Sequence, residues 1–440
     1  MTNWTHIDFI GIGGIGMSSL AQWALSQGIT VSGYDLRSST ITKDLSDKGA
    51  SIRLNDQLDA WGIPDAALVV YTPAIPSNHP QLAAAIKGNH QVIKRAEMLA
   101  LIANQGTCLA VAGSHGKTTT SAMLAWILHQ GGMPVQAFLG GIANNFQSNA
   151  VIADSDLMVV EADEFDRSFL HLKPTAAVVT SSDADHLDIY GNEQGMQAGF
   201  EAFASKVQGA LFTGPEVLGL GGKGYGKPSD TNRAEHLRIA NGRQVFDLIL
   251  GNQQYQGVTA GMPGRHNVDN AVAAACLAQN VGMGIETIAQ GISSFTGVKR
   301  RFDVHINQED VVYLDDYAHH PTELRQLITS LRELHPGLEI AMLFQPHLYS
   351  RTQDFMQDFI EVLSSIEHLA LLPIYPAREL PIESIRSEVI CKALDASLQT
   401  EATAAAWLAS HNKAIMVTAG AGDIDRQIPR VIANLQSRLS

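Results

Sequence analysis

"GSHGKTTT", residues 113–120, follows the apolar run "TCLAVA" and leads into "SAMLAWILHQ". Glycines that free the backbone, then a lysine, then hydroxyls, is the order of a phosphate-binding loop. The ordinary loop keeps four residues between its glycines, whereas only Ser114 and His115 separate Gly113 from Gly116. Lys117 keeps its place and would bring a cation to the β/γ-phosphates. Thr118 or Thr119 could put a hydroxyl on Mg2+. A strand before the loop and a helix after it predict an α/β domain with the loop at the C-terminal edge of its sheet.

A Mg2+ ion needs hard anionic oxygens. The apolar run "LMVV" delivers Glu161, Asp163, Glu164 and Asp166, and "AAVVT" delivers Asp183, Asp185, His186 and Asp188. Both acidic loops are expected at the same sheet edge as the phosphate loop. Glu161, directly after its strand, is the better metal candidate, and His186 reads from its surroundings as a hydrogen-bonded loop histidine.

Upstream, "GIGGIG" places Gly11, Gly13 and Gly16 in G-x-G-x-x-G order between a strand, "HIDFI", and a helix, "GMSSLAQWALSQG". The pattern makes a tight turn and seats a diphosphate at a helix N-terminus. Asp35 ends the next strand, where a ribose hydroxyl would be recognised. By itself the motif reads as a dinucleotide site, with NAD first, although any diphosphate linked to a ribose, a UDP-sugar included, satisfies the same geometry. Two nucleotide-like sites in one chain suggest ATP-driven chemistry on a nucleotide-linked substrate.

At 440 residues the chain is expected to hold two or three domains. Short apolar runs alternate with amphipathic stretches almost throughout, the pattern of βα units and a largely parallel sheet. The stretch from about 215 to 240, rich in glycine and polar residues, reads as a surface excursion. A net charge of −14 argues against a nucleic-acid partner or an anionic membrane. Three scattered cysteines, the lack of a basic segment before an apolar N-terminal core, and no apolar run of about 20 residues point to a cytoplasmic protein without membrane insertion.

In order along the chain, "FIGIGGIGMSSLA", "YTPAIP", "KRAEML", "AGSHGKTTT", "EADEFDRSFL", "DADHLDIYG", "GRHNVDNA", "DDYAHHPTE" and "FQPHLYSRT" resemble the landmarks of the Mur ligases of peptidoglycan synthesis. In that family the short phosphate loop is the normal form. The resemblance implies three α/β domains. Residues 1–104 would be a Rossmann-like domain binding a UDP-sugar. Residues 105–297 would be a central P-loop-type ATPase domain with a mostly parallel sheet. Residues 298–440 would be a C-terminal Rossmann-like domain for the amino acid and for closure. The implied reaction phosphorylates the lactyl carboxylate of UDP-N-acetylmuramate with ATP and Mg2+, and L-alanine then displaces the phosphate. A monomer or homodimer is expected.

Carried over from the family, Gly113, Ser114, His115, Gly116, Lys117, Thr118 and Thr119 would hold the ATP phosphates. His266 and Asn270 would hold the adenine, Arg301 with Arg300 beside it would reach the γ-phosphate, and Asp316 would meet the ATP ribose. Thr118, Glu161 and His186 would bind metal, with Lys117, His186 and Arg301 as the catalytic set. Gly11, Gly13, Gly14, Ile15, Gly16, Asp35, Thr72 and Ala74 would hold the UDP-sugar. Tyr317, His347 and Arg351 would form the amino-acid pocket. Many relatives carry an arginine where this chain has Leu348; His319, His320 or Arg378 could supply that missing donor. Glu201 could stand in for the carbamylated lysine of some relatives. Three other readings stay open: a recycling ligase that joins a stem tripeptide to the same sugar nucleotide, an NAD(P)-dependent oxidoreductase, and a non-catalytic ATP-gated binding protein.

Overall fold

The computed structural model describes residues 4–183, 187–240, 242–377 and 379–439. Three mostly parallel sheets organise them, with a small three-stranded sheet besides.

The first sheet runs, in spatial order, Ser51–Arg53, Thr30–Tyr34, His6–Ile10, Leu68–Tyr71, Gln91–Lys94, with every pairing parallel. The chain leaves the central strand His6–Ile10 to one side for Thr30–Tyr34 and later returns to its other side for Leu68–Tyr71. This reversal opens a crevice at the strand ends, where α/β sheets bind ligands. The glycine turn lies there.

The second sheet runs Lys223–Gly224, Leu211–Thr213, Ala176–Val179, Thr107–Ala112, Leu157–Glu161, Gln136–Ala143, Ser148–Val151. Its pairings are parallel except the hairpin between Gln136–Ala143 and Ser148–Val151. Thr107–Ala112, which feeds the phosphate loop, is flanked by the two strands that deliver the acidic loops. The helix Lys117–Gln130 after the loop buries ten residues, from Thr118 to Leu128, around nearly its whole circumference. A helix buried on nearly all sides belongs inside a domain, so its N-terminus is held firmly.

These two sheets belong to one compact unit, residues 1–237, 246–261 and 269–296. One apolar cluster runs through it from Ile7, Phe9 and Met17, past Met98 and Leu99, to Ala110, Val160 and Phe200. The stretch 215–240, expected to be a surface excursion, is partly structural. It contributes the edge strand Lys223–Gly224, buries Tyr225 to 1% exposure and enters the strand Asn232–Ala240. Its many glycines hid that role from a reading based on local pattern.

The other unit comprises residues 238–245, 262–268 and 297–440. Its sheet runs Asp303–Asn307, Val311–Asp316, Ala414–Ala419, Glu339–Phe344, His368–Leu371, Ser397–Leu398, with one antiparallel edge pair and otherwise parallel pairing. Tyr313, Leu343, Met416 and Leu435 lie in its own core. Among the described residues no helix is long and apolar enough to cross a membrane.

Candidate functional site

The phosphate loop is shorter than usual, and a neighbouring strand braces it. The residues after Ala176–Val179 grip it at several points. Ser114 N donates to Ser181 O at 3.1 Å, Ser114 Oγ to Asp183 O at 2.6 Å, and His115 N to Ser181 Oγ at 2.8 Å. Thr180 Oγ1 donates to His115 O at 2.5 Å. Gly113 has φ +131°, and a Cβ there would stand 2.2 Å from Thr180 Oγ1; Gly116 has φ +82°, and its Cβ would stand 2.4 Å from Asn270 Oδ1. Both positions need glycine for conformation and for room.

Lys117 donates to Gly113 O at 2.6 Å and to Glu164 Oε1 at 2.8 Å, and it is 2.7 Å from Glu164 Oε2. Burial pulls its ammonium downward, but Glu164, Asp163 and Glu161 outweigh that and hold it above its usual value. Glu164 is 1% exposed, and burial pushes it up to about 7 against the pull of Lys117. The lysine is thus a buried cation already surrounded by acceptors.

Thr118 Oγ1 donates to Glu161 Oε1 at 2.9 Å, and Gly140 N donates to Glu161 Oε2 at 2.8 Å. A Cβ on Gly140 would stand 2.3 Å from Glu161 Oε1, so the hairpin strand comes right up to this carboxylate. Burial also raises Glu161. A carboxylate and a hydroxyl at the loop's end form an all-oxygen donor set, which suits a small hard cation. Thr119 is buried beside them. Asp185 and His186 lie outside the described residues. Glu201 and Asp183 line a cavity of about 660 Å3 together with Glu193.

At the first sheet, Gly11 has φ +91° and its N–H donates to Tyr34 O at 2.8 Å. Gly13 N donates to Asp35 Oδ2 at 2.8 Å, and a Cβ on Gly13 would collide with the same carboxylate. Asp35 therefore braces the glycine turn. Gly14 is the N-cap of the helix Ile15–Ser26 and offers no capping side chain, which leaves the helix N-terminus to an anion. Thr72 packs close to Gly11, and Ala74 is exposed on the loop that follows Leu68–Tyr71. Asn149, 4% exposed on the second sheet's hairpin, donates to Ile15 O at 2.6 Å and Ser18 Oγ at 2.9 Å and accepts from Gln22 at 3.0 Å.

In the C-terminal unit the two consecutive arginines have different surroundings. Arg300 donates from Nε to Asp315 at 2.9 Å and from its terminal nitrogens to Gly420 O at 2.7 Å and Gly422 O at 3.4 Å. These bonds commit it to the fold. Arg301 lies over the Tyr317 ring at 4.9 Å, which Arg300 also meets at 5.2 Å, and has Glu323 at 3.5 Å. His266 feels the charges of both Glu323 and Arg301, and burial pushes it down to about 4. Asp316 accepts from Phe302 N and Ala318 N, both at 2.7 Å, and burial raises it to about 6 despite Arg301.

Tyr317, His319, His347 and Tyr375 form a chain of ring contacts 5.3 to 5.8 Å apart. Arg351, 7% exposed, brings Nη1 to 3.4 Å from His347 Nδ1. Leu348 takes φ 68°, ψ 138°, a conformation nearly reserved for glycine that costs about 1–3 kcal/mol. It turns the chain sharply into the helix Tyr349–Asp354, whose Ser350 is held by Glu379. His320 is the N-cap of the helix Pro321–Leu334 and accepts from Thr322 N at 3.3 Å. Arg378 lies outside the described residues.

Sequence reading passed over Gly140, Asn149, Glu323 and Glu379. Each meets a partner distant in the chain, Glu323 the nearby His319 as well, and no local pattern marks it. Glu164 was visible as one of four acids, but nothing in the sequence singled it out as the partner of Lys117.

Residues 6–107 match the description "Mur ligase family, catalytic domain", residues 111–213 "Mur ligase middle domain", and residues 300–424 "Mur ligase, glutamate ligase domain". The chain is similar to a UDP-N-acetylmuramate–L-alanine ligase of Flavobacterium johnsoniae, 43% identical over 436 residues covering 97% of each chain. One from Porphyromonas gingivalis is 44% identical over 452 residues, covering 98% of this chain and 99% of that one. The crystal structure of a UDP-N-acetylmuramate-alanine ligase from Thermotoga maritima matches with a TM-score of 0.85 and 26% identity, covering 98% and 99% of the two chains. The phosphate loop, the glycine turn and these full-length likenesses agree: the chain belongs to the Mur ligase family.

Proposed function

We infer that the protein joins L-alanine to the lactyl carboxylate of UDP-N-acetylmuramate with hydrolysis of ATP to ADP and phosphate, in peptidoglycan synthesis. The observation that carries this reading is the pairing, within one compact unit, of a diphosphate turn and a phosphate loop with its own carboxylate and hydroxyl corner. An oxidoreductase would leave the second site without a role.

In the first step a carboxylate oxygen bonds to the γ-phosphorus while the bond to the β-bridging oxygen breaks, releasing ADP. Lys117 exchanges Glu164 for phosphate oxygens and balances their charge. Thr118 and Glu161 would hold Mg2+, which when bound neutralises further phosphate charge. In the second step the amine of L-alanine bonds to the acyl carbon, phosphate leaves, and the nitrogen gives up a proton. Arg351 is read as gripping the amino acid's carboxylate, with Tyr317 and His347 shaping the pocket. His266 and Asn270 are read as adenine contacts and Arg301 as the γ-phosphate contact. The reading goes with a cytoplasmic enzyme, since ATP and the sugar nucleotide are cytoplasmic substrates, and we expect a monomer or homodimer.

Phosphate release would be measured with ATP, Mg2+ and UDP-N-acetylmuramate, adding L-alanine, L-serine, glycine or the stem tripeptide in parallel, with Lys117→Ala as control. Release that needs both the sugar nucleotide and L-alanine supports the reading. Release only with the tripeptide makes the protein a recycling ligase, and the absence of release with every acceptor returns the binding-protein and oxidoreductase readings.

A further inference from the structure

Arg95 opens the helix Arg95–Ala103, directly after the strand Gln91–Lys94. Its side chain, 19% exposed, touches two places far apart in the sequence. On one side it lies against Gly16, where a Cβ would stand 2.7 Å from Nη1 and 3.0 Å from Cδ. The third glycine of the turn thus makes room for this arginine. On the other side Nη2 is 3.5 Å from Asp163 Oδ2, and the side chain lines a small cavity with Glu161, Asp163 and Ser168.

A guanidinium carries five N–H donors. Among the described residues, Asp163 is the one polar partner of Arg95, at a distance too long for a good hydrogen bond. Other cations of the chain differ in this respect. Lys94 is closed on Asp166 at 2.7 Å, and Arg300 spends its nitrogens on three acceptors. Arg95 is a largely enclosed cation with open donors, placed between the glycine turn and the Glu161 corner. An anionic ligand would complete it.

We propose that Arg95 grips the reacting carboxylate of the sugar nucleotide while it is phosphorylated. The inference rests on the reading of function above. A substrate anchored by its diphosphate at Gly14–Gly16 and phosphorylated beside Lys117 must carry its carboxylate between the two, past Arg95. Both reactants of that step are anions, and Glu161, Asp163 and Glu164 add negative charge around them. The planar fork takes two carboxylate oxygens side by side, cancels part of the repulsion and fixes their direction.

The test uses the full-length protein with Arg95→Ala, Arg95→Lys and, as a control that breaks the neighbouring ion pair, Lys94→Met. Calorimetry would give the affinity for UDP-N-acetylmuramate and for UDP-N-acetylglucosamine, which lacks the lactyl carboxylate; kcat and KM would follow. Arg95→Ala is expected to weaken UDP-N-acetylmuramate by roughly 10–100-fold and to lower kcat. UDP-N-acetylglucosamine and Mg-ATP should bind as to the parent, and Lys94→Met should behave as the parent throughout. Lysine cannot reproduce the paired contact, so Arg95→Lys should show the same selective loss in smaller measure and carries the test if the alanine variant does not fold. Equal weakening of both sugar nucleotides would assign Arg95 to the diphosphate and overturn the proposal. Unchanged affinity for both, with unchanged kcat, would reduce Arg95 to a partner of Asp163 and overturn it as well. A parent protein with no affinity for UDP-N-acetylmuramate would overturn the reading of function itself, and this inference with it.

Discussion

Replacing Glu164 by glutamine should tighten ATP binding, an unusual outcome for a change beside a phosphate loop. Without nucleotide, Lys117 is held by Glu164 at 2.7–2.8 Å and by Gly113 O at 2.6 Å. Phosphate oxygens must take the lysine from Glu164, which leaves a carboxylate of 1% exposure without its cation. Glutamine keeps the shape and an acceptor oxygen but exchanges an ion pair for a hydrogen bond from the ammonium to a neutral amide oxygen, weaker by about 1–2 kcal/mol. Giving up the weaker bond costs less, and the residue left behind is neutral, so the two effects have the same sign. The gain corresponds to roughly 5–30-fold in affinity. Calorimetry with Mg2+ and a non-hydrolysable ATP analogue would read it. Burial raises Glu164 to about 7, so the parent itself approaches the neutral form in acid. The gap between variant and parent should therefore be widest at pH 8–9 and shrink towards pH 6. Weaker binding by Glu164→Gln, or a gap that grows on acidification, would refute the reasoning, because Glu164 would then be supporting Lys117 in the complex.

Gly140→Ala would put a methyl 2.3 Å from Glu161 Oε1 and displace that carboxylate; we predict that kcat falls about tenfold or more and that the Mg2+ concentration needed for half-maximal rate rises, with ATP binding in the absence of metal unaffected. Asn149→Asp would turn two donors facing Ile15 O and Ser18 into acceptors, which should cost about 1–3 kcal/mol by urea unfolding and raise KM for the sugar nucleotide more than for ATP. His319, 16% exposed, is pushed down to about 4 by burial. The unfolded chain takes up a proton near pH 6.5 that the native site refuses, so stability is complete above that pH and lost as pH falls towards 4. The loss is at most roughly 3 kcal/mol, and His319→Gln should flatten the pH dependence of the urea midpoint over that window.

Much of the site was legible because its parts are local. The two glycine motifs each need a strand, a turn of fixed length and a helix, all within about 25 residues, and that pattern survives in any reading of the chain. The acids after "LMVV" were legible for the same reason. The reading was least informative where chemistry depends on a partner across the fold. Arg300 and Arg301 are identical in sequence terms and both lie over Tyr317, yet one is tied to Asp315, Gly420 and Gly422 while the other has Glu323 beside it. Asp35 reads in the sequence as a ribose contact, and the structure shows its carboxylate bracing Gly13. His319 and His320 looked alike, but only His320 caps a helix.

The sequence by itself determined the α/β class, the order of the domains and where the glycine turns fall between strand and helix, since backbone conformation at glycine and strand–helix periodicity are properties of neighbouring residues. Only the tertiary structure decided which charges meet: Lys117 with Glu164, Glu161 with Thr118 and Gly140, Arg95 with Gly16 and Asp163. Electrostatic strength depends on distance and on exclusion of water, and both are set by how the sheets pack rather than by the spacing of residues along the chain.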